Sequence, residues 1–263
     1  MKTTVHDVIQ KLTAKVNTLE NTVDTLKCGN PQMKVTGITV TFMPTYAAIE
    51  KTIELGANLL ITHEGLFYSH WDAYELDEKQ VYNEKRRLLH ESGIAVYRFH
   101  DYWHRYKPDG IMQGLVEALE WNAYVEKHHS AATVLNLPET NLEEISRHVK
   151  QQLEIDFVRV TGDLAMPCTR IGLLAGYRGG SSLSIPLFEK ENLDVIIYGE
   201  GPEWETPEYV KDSISQGRKR AIIILGHGES EEPGMKFLAE RMVEMFPQLP
   251  VHYLLTVQNF QVM

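Results

Sequence analysis

Short apolar, β-branched runs alternate with helix-patterned segments along nearly the whole chain, and this alternation restricts the available folds most. VTGITVTF (35–42), ANLLIT (57–62) and IAVYRF (94–99) read as strands. Between them lie PTYAAIEKTIELG (44–56), with Pro44 near its start and Gly56 as its stop, and a charged helix around 78–92 that ends before Gly93. Strands that are continuously apolar are those of a sheet buried on both faces, and helices between them supply the crossovers of parallel βαβ units. The second half repeats the pattern. SAATVLNL (130–137), FVRVTG (157–162), RIGLLAG (170–176), DVIIYG (194–199), AIIILG (221–226) and VHYLLTV (251–257) are strand-like. Helices are expected over 141–153, where Asn141 and Glu144 form a capping box, and near 205–217 and 233–246. The class is therefore α/β with mainly parallel sheets. At 263 residues the chain suffices for one large or two smaller domains. A soft boundary near 122–130 divides it into 1–126 and 127–263. GANLLITHEG and NLDVIIYGEG resemble one another, each an apolar strand ending in a Glu-Gly step.

Charge and cysteine content narrow the function classes. The formal net charge of −10 argues against general affinity for nucleic-acid phosphates, and the one basic run, GRKR (217–220), reads as a solvated helix end. Cys28 and Cys168 are far apart, so neither a disulfide framework nor a thiolate zinc site is indicated. The first residues show an amphipathic helical pattern rather than a leader peptide, and no segment approaches the roughly 20 apolar residues that span a bilayer. A soluble protein of the reducing cytoplasm, without a membrane partner, is the expectation.

Three of the apolar strands end in unusual polarity. ANLLIT runs into His63-Glu64-Gly65, IAVYRF into His100-Asp101-x-x-His104, and AIIILG into His227-x-x-x-Glu231 ahead of Pro233. Ligands of open α/β sheets bind beyond the carboxyl ends of the strands. One such end is explained by capping or by a helix dipole, which needs no function. Three at the same structural position form a constellation. Imidazole and carboxylate donors without thiolates suit zinc, iron, manganese, cobalt or nickel, while several histidines disfavour calcium and magnesium. The donors outnumber what one tetrahedral ion with an open position needs, which favours two ions about 3.5–4 Å apart. Neighbours in a regular strand face opposite ways, so His63 and Glu64 can serve one centre only where the strand has ended, and Gly65 permits that break. Tyr68, His70, Trp71, Asp72 and Tyr74 follow this turn as candidate lining residues. Gly-rich AGYRGGSS (175–182) offers an approach to a phosphate, or a plain turn.

These stretches resemble the Nif-three-like family (Ngg-one-interacting factor three), often labelled GTP cyclohydrolase type-two-like. LLITHEGLF, GIAVYRFHDYWH, AGYRGGSS, DVIIYGE and ILGHGESEEPGMKFLAERM carry the resemblance over most of the chain. It implies two interlinked α/β domains with a dinuclear metal site in the cleft between them, and a ring-shaped homohexamer. It also implies His63, Glu64, His104, His227 and Glu231 as ligands of two divalent transition-metal ions (Zn, Fe or Mn). Glu64 stands where the family has a second histidine and His104 where it has an aspartate, so the count of each donor type is unchanged. Thr41-Phe42-Met43 replaces an acidic residue common in the family. The function implied is metal-dependent hydrolysis of a nucleotide or related small molecule, with His100 or Asp101 moving protons and His100 alternatively a ligand. The runner-up is a non-catalytic metal-binding or regulatory hexamer.

Overall fold

The computed structural model describes residues 3–71, 80–256, 260 and 263. Asp72 and Tyr74 lie outside these residues. In chain order the elements are α1 (Val5–Thr13), β1 (Leu26–Cys28), β2 (Ile38–Thr41), α2 (Tyr46–Glu54), β3 (Leu59–Thr62), α3 (Gln80–Ser92), β4 (Ala95–Arg98), α4 (Asp101–His104) and α5 (Gly110–Ala118). There follow β5 (Val125–His128), β6 (Thr133–Asn141), α6 (Leu142–Leu153), β7 (Arg159–Thr161), β8 (Pro167–Leu174), α7 (Ser181–Glu191), β9 (Val195–Tyr198), α8 (Thr206–Ser215), β10 (Ala221–Ile224), α9 (His227–Met245) and β11 (Val251–Leu254).

The chain forms two compact units, Met1–Gly110 with Met235–Val257, and a second one containing Ile111–Gly234. The first holds a sheet in the order β1-β4-β3-β2-β11, parallel except for β1 against β4. Every residue of β2, β3 and β4 is buried, as the continuous apolar runs require of a sheet covered on both faces. On one face, Ile49 of α2 and Leu89 of α3 pack against Leu60 of β3 and Val96 of β4. The division is not the contiguous one at 126/127. β11 pairs in parallel with β2, Val251 opposite Ile38, so the C-terminal segment returns to the first sheet.

The second unit's sheet runs β5-β6-β8-β9-β10-β7. Its centre, β8-β9-β10, is parallel, and β6 and β7 flank it antiparallel. Phe188 and Leu187 of α7 and Val210 of α8 are buried among Ile196, Tyr198 and Ile222 of this centre. Helix α9 starts at His227, well ahead of the expected 233, and takes Pro233 into its interior. That early start turns His227-x-x-x-Glu231 from a loop motif into an i, i+4 pair on one helical face. α5 and α9 meet through glycine: a Cβ on Gly114 would lie 2.5 Å from the Gly234 Cα.

Candidate metal centre

In the first unit, β3 and β4 are parallel neighbours with Thr62 opposite Arg98, so the chain leaves both strands at the same sheet edge. His63 follows β3, His100 follows β4, and His104 lies one helical turn beyond His100 on α4. The three rings converge. Their centroids are 4.4 Å (63–100), 5.0 Å (63–104) and 4.9 Å (100–104) apart. One nitrogen from each lies within 4.8 Å of the others, and His63 is fully buried.

The surroundings aim these rings. His100 Nδ1 is 2.8 Å from Asp101 Oδ1, and His104 Nδ1 is 2.9 Å from Asp109 Oδ2. A carboxylate on Nδ1 fixes ring orientation and tautomer and presents Nε2, the usual environment of a metal-binding histidine. Asp101 is itself held: its Oδ2 accepts from the Thr22 hydroxyl at 2.9 Å and the Val23 N–H at 3.2 Å. Burial would raise its pKa, but the bonds from His100, Thr22 and Val23 outweigh it and keep the carboxyl well below the usual range. α4 is short, and its N-cap residue His100 makes no side-chain cap bond. Asp24 performs that task from a distant loop. Its Oδ1 accepts from the N–H groups of His100 and Asp101, and its Oδ2 from that of Tyr102. Burial raises the Asp24 carboxyl despite those donors.

Glu64 has a different setting. The Arg98 guanidinium, wholly buried, places Nη2 3.1 Å from Glu64 Oε2, while Nε donates to the His63 carbonyl at 3.0 Å and Nη1 to the His70 carbonyl. Arg98 thus ties down the turn that carries His63 and Glu64. The His70 ring, 3.2 Å from Arg98 Nη2 and 5.3 Å from the His100 ring, is held below its ordinary pKa by burial and then by Arg98. Tyr68 and Trp71 are largely exposed.

The second unit carries its own donor pair. His227 Nε2 is 3.2 Å from Glu231 Oε2, and His227 Nδ1 is 3.0 Å from Glu200 Oε1, beyond the end of β9. Glu231 is 2% exposed. A glycine makes room for it: Gly176 has φ +67°, and a Cβ there would lie 2.1 Å from Glu231 Oε1. Ser230 closes the arrangement, accepting from the Gly176 N–H at 2.8 Å and donating to the His227 carbonyl at 2.7 Å.

The family profile described as Duf34/NIF3 (NGG1p interacting factor 3) matches residues 3–259. The chain belongs to the Duf34/NIF3 family. A relative named GTP cyclohydrolase 1 type 2 homolog, from Clostridium perfringens, is 26% identical over 83% of this chain and 82% of its own length. Among solved structures, a Staphylococcus aureus hypothetical protein superposes with a TM-score of 0.79 at 16% identity, covering all of both chains. A Bacillus cereus protein related to NIF3 does so at 0.75 with 17% identity, over 100% of this chain and 99% of its own. The α/β fold expected from the strand and helix pattern is thus the Duf34/NIF3 fold.

Within this family member, the structure brings together His63, His100 and His104 in one unit and His227 with Glu231 in the other. Glu64 is drawn to Arg98. Sequence reasoning missed Asp24, Arg98, Asp109 and Glu200. Only Glu200 had a signal, the Glu-Gly step shared with Glu64. AGYRGGSS does not offer an open phosphate cradle, since the Glu205 carboxylate already accepts from the Ser181 N–H at 2.6 Å at the start of α7. His128 and His129 contact Thr133 and Glu191. Among the described residues, no helix is long and apolar enough to cross a membrane.

Proposed function

We propose that this Duf34/NIF3 chain binds two divalent transition-metal ions, zinc, iron or manganese, and hydrolyses a nucleotide or related small molecule. The observation that carries the reading is the convergence of His63, His100 and His104, two of them oriented through Nδ1 by carboxylates. Such a set suits borderline divalent ions and gives no thiolate alternative. The proposed ligands are His63, Glu64 and His104 of the first unit and His227 and Glu231 of the second, with His100 as a further imidazole. Glu64 would bind through the oxygen that Arg98 does not hold. When bound, divalent ions supply Lewis acidity, polarising a substrate oxygen and acidifying water. The chain's part is orientation: Asp101, Asp109 and Glu200 set the rings of His100, His104 and His227. In this reading Asp101 positions His100 rather than carrying protons itself. The name of the Clostridium perfringens relative supports a purine nucleotide as the first substrate to try.

Elemental analysis of purified protein tests the donor set. His63→Ala combined with His227→Ala should lose nearly all bound metal, and His128→Ala should lose none. Equal metal content in the double variant and the wild type rejects the ligand assignment. Turnover is tested separately, with metal-loaded protein and a panel of nucleotides, phosphoesters and cyclic amides. Hydrolysis of none of them, with metal retained, favours the non-catalytic metal-binding reading. We propose the homohexamer and the cytoplasmic location on the family resemblance and the charge and cysteine content. Light scattering showing a particle six times 30.1 kDa checks the assembly.

A further inference from the structure

A surface cavity of about 530 Å³ in the first unit lies outside the donor sets described above. Its walls come from the stretch after α1 (Lys15, Val16, Asn17, Leu19) and from the residues that follow α4 (Arg105, Tyr106, Lys107). Three of these are cations and none is a carboxylate. On a chain with 36 acidic against 26 basic residues, a cavity of that composition is contrary to the overall balance. Among the described residues, Lys15, Arg105 and Lys107 make no ion pair, whereas surface cations such as Lys51, Arg147 and Lys211 do. The wall is also anchored. Tyr106 donates its hydroxyl to the Leu12 carbonyl at 2.5 Å and packs against Trp103 with ring centroids 4.7 Å apart. The Lys15 ammonium lies 5.5 Å from the Tyr106 ring centre.

The bland account is that Lys15 complements the C-terminal dipole of α1. That dipole amounts to about half a negative charge and decays within a turn, so it offsets a small part of three positive charges. Beyond that and the Tyr106 ring under Lys15, no carboxylate lines the cavity to offset the charge. Arginine beside lysine around a concave wall is the chemistry of phosphate recognition: a planar fork for two oxygens and point charges for the rest. The volume is in the range of small-molecule sites, roughly 300–1,000 Å³, large enough for a phosphate and an attached body. We infer that Lys15, Arg105 and Lys107 form a binding site for the phosphate groups of a small phosphorylated molecule. The site is independent of the metal reading, because it uses none of the metal donors, although Arg105 follows His104 directly in sequence.

Calorimetric titration of tripolyphosphate into the full chain tests this, with the protein stripped by chelator so that bound metal cannot take up the probe. Saturable binding by the wild type, weakened at least about tenfold in Lys15→Gln/Arg105→Gln/Lys107→Gln and retained in the Lys211→Gln/Lys219→Gln control, is the expected result. All three cations are exposed, so the variant should fold, and an unchanged thermal transition checks that. Should it fail to fold, Arg105→Lys, which keeps the charge and loses the fork, is expected to bind several-fold more weakly. Absence of saturable binding by the wild type, or wild-type affinity in the folded triple variant, overturns the site. Flotation with phosphatidic-acid vesicles in place of tripolyphosphate binding would overturn the small-molecule assignment.

Discussion

Arg98 is the residue whose removal has the most calculable consequence. Its guanidinium is fully buried and faces a Glu64 side chain that is only 13% exposed, so neither charge is well served by water. Replacing it with methionine, of similar length, leaves the Glu64 carboxylate buried without its counter-ion, which typically costs about 3–5 kcal/mol. The carbonyls of His63 and His70 lose a donor in the same step, each worth about 1 kcal/mol. Whole-protein stabilities are about 5–15 kcal/mol, so Arg98→Met should be among the most damaging substitutions in the first unit. At about 2–4 °C per kcal/mol for a chain of this size, the thermal transition should fall by roughly 10–28 °C. The mechanism makes a sharper claim through the double variant. In Arg98→Met/Glu64→Gln no charge is stranded, and part of the loss should return, giving a coupling of about 1–3 kcal/mol in the cycle. Arg98→Lys keeps the charge but not the fork and should fall between wild type and Arg98→Met. The measurement is thermal unfolding by circular dichroism on chelator-treated protein. A shift under about 2 °C for Arg98→Met, or strict additivity with Glu64→Gln, would refute the picture of a desolvated clamp on the His63-Glu64 turn.

Three further outcomes follow from the geometry. Gly176→Ala places a methyl where Glu231 Oε1 now sits and imposes a side chain on a left-handed backbone, so it should destabilise by roughly 1–3 kcal/mol and reduce metal content measured by elemental analysis. Asp109→Asn removes the carboxylate that orients His104 and, on the proposed metal assignment, should weaken metal affinity by about 10–100-fold in competition with a chromogenic chelator while leaving the far-ultraviolet spectrum unchanged. Burial, with Asp194 nearby, pushes the Cys168 thiol from 9.0 up to about 12. In native protein at pH 8 it should therefore stay unreactive toward a disulfide reagent, and Cys28→Ser should remove the remaining native reactivity. Because the folded value is raised, this stability contribution is present below about pH 9 and lost as pH rises toward 12. Cys168→Ala should flatten that alkaline loss, read as the midpoint of denaturation against pH.

The local signals in the chain were strong where chemistry and periodicity coincide. Continuous apolar runs such as ANLLIT and AIIILG mark strands buried on both faces, and the polar residues that end them mark a sheet edge. His63, His100 and His104, which the structure brings together, and the contacting pair His227 and Glu231 stood out in the sequence for that reason. α9 was read too short because Pro233 and two glycines argue locally against a helix that the structure nonetheless begins at His227. Asp24 could not be found from sequence. It is 76 residues from His100, and no spacing rule connects a loop carboxylate to the N–H groups of a distant helix. Nothing in IAVYRF sets Arg98 apart, whereas burial makes it the clamp of the His63 turn.

By itself, then, the amino-acid order determined the α/β class, the strands other than β1 and β5, and the residue types available to a ligand, because these depend on neighbours within a helical turn or a pleat. Tertiary structure decided which of them meet. It seated β11 against β2 across 213 residues, put Asp101 and Asp109 behind the histidines, and gave Glu64 a buried partner. Those pairings are selected by burial and electrostatic compensation summed over the whole fold, and that sum is not written in any short stretch of chain.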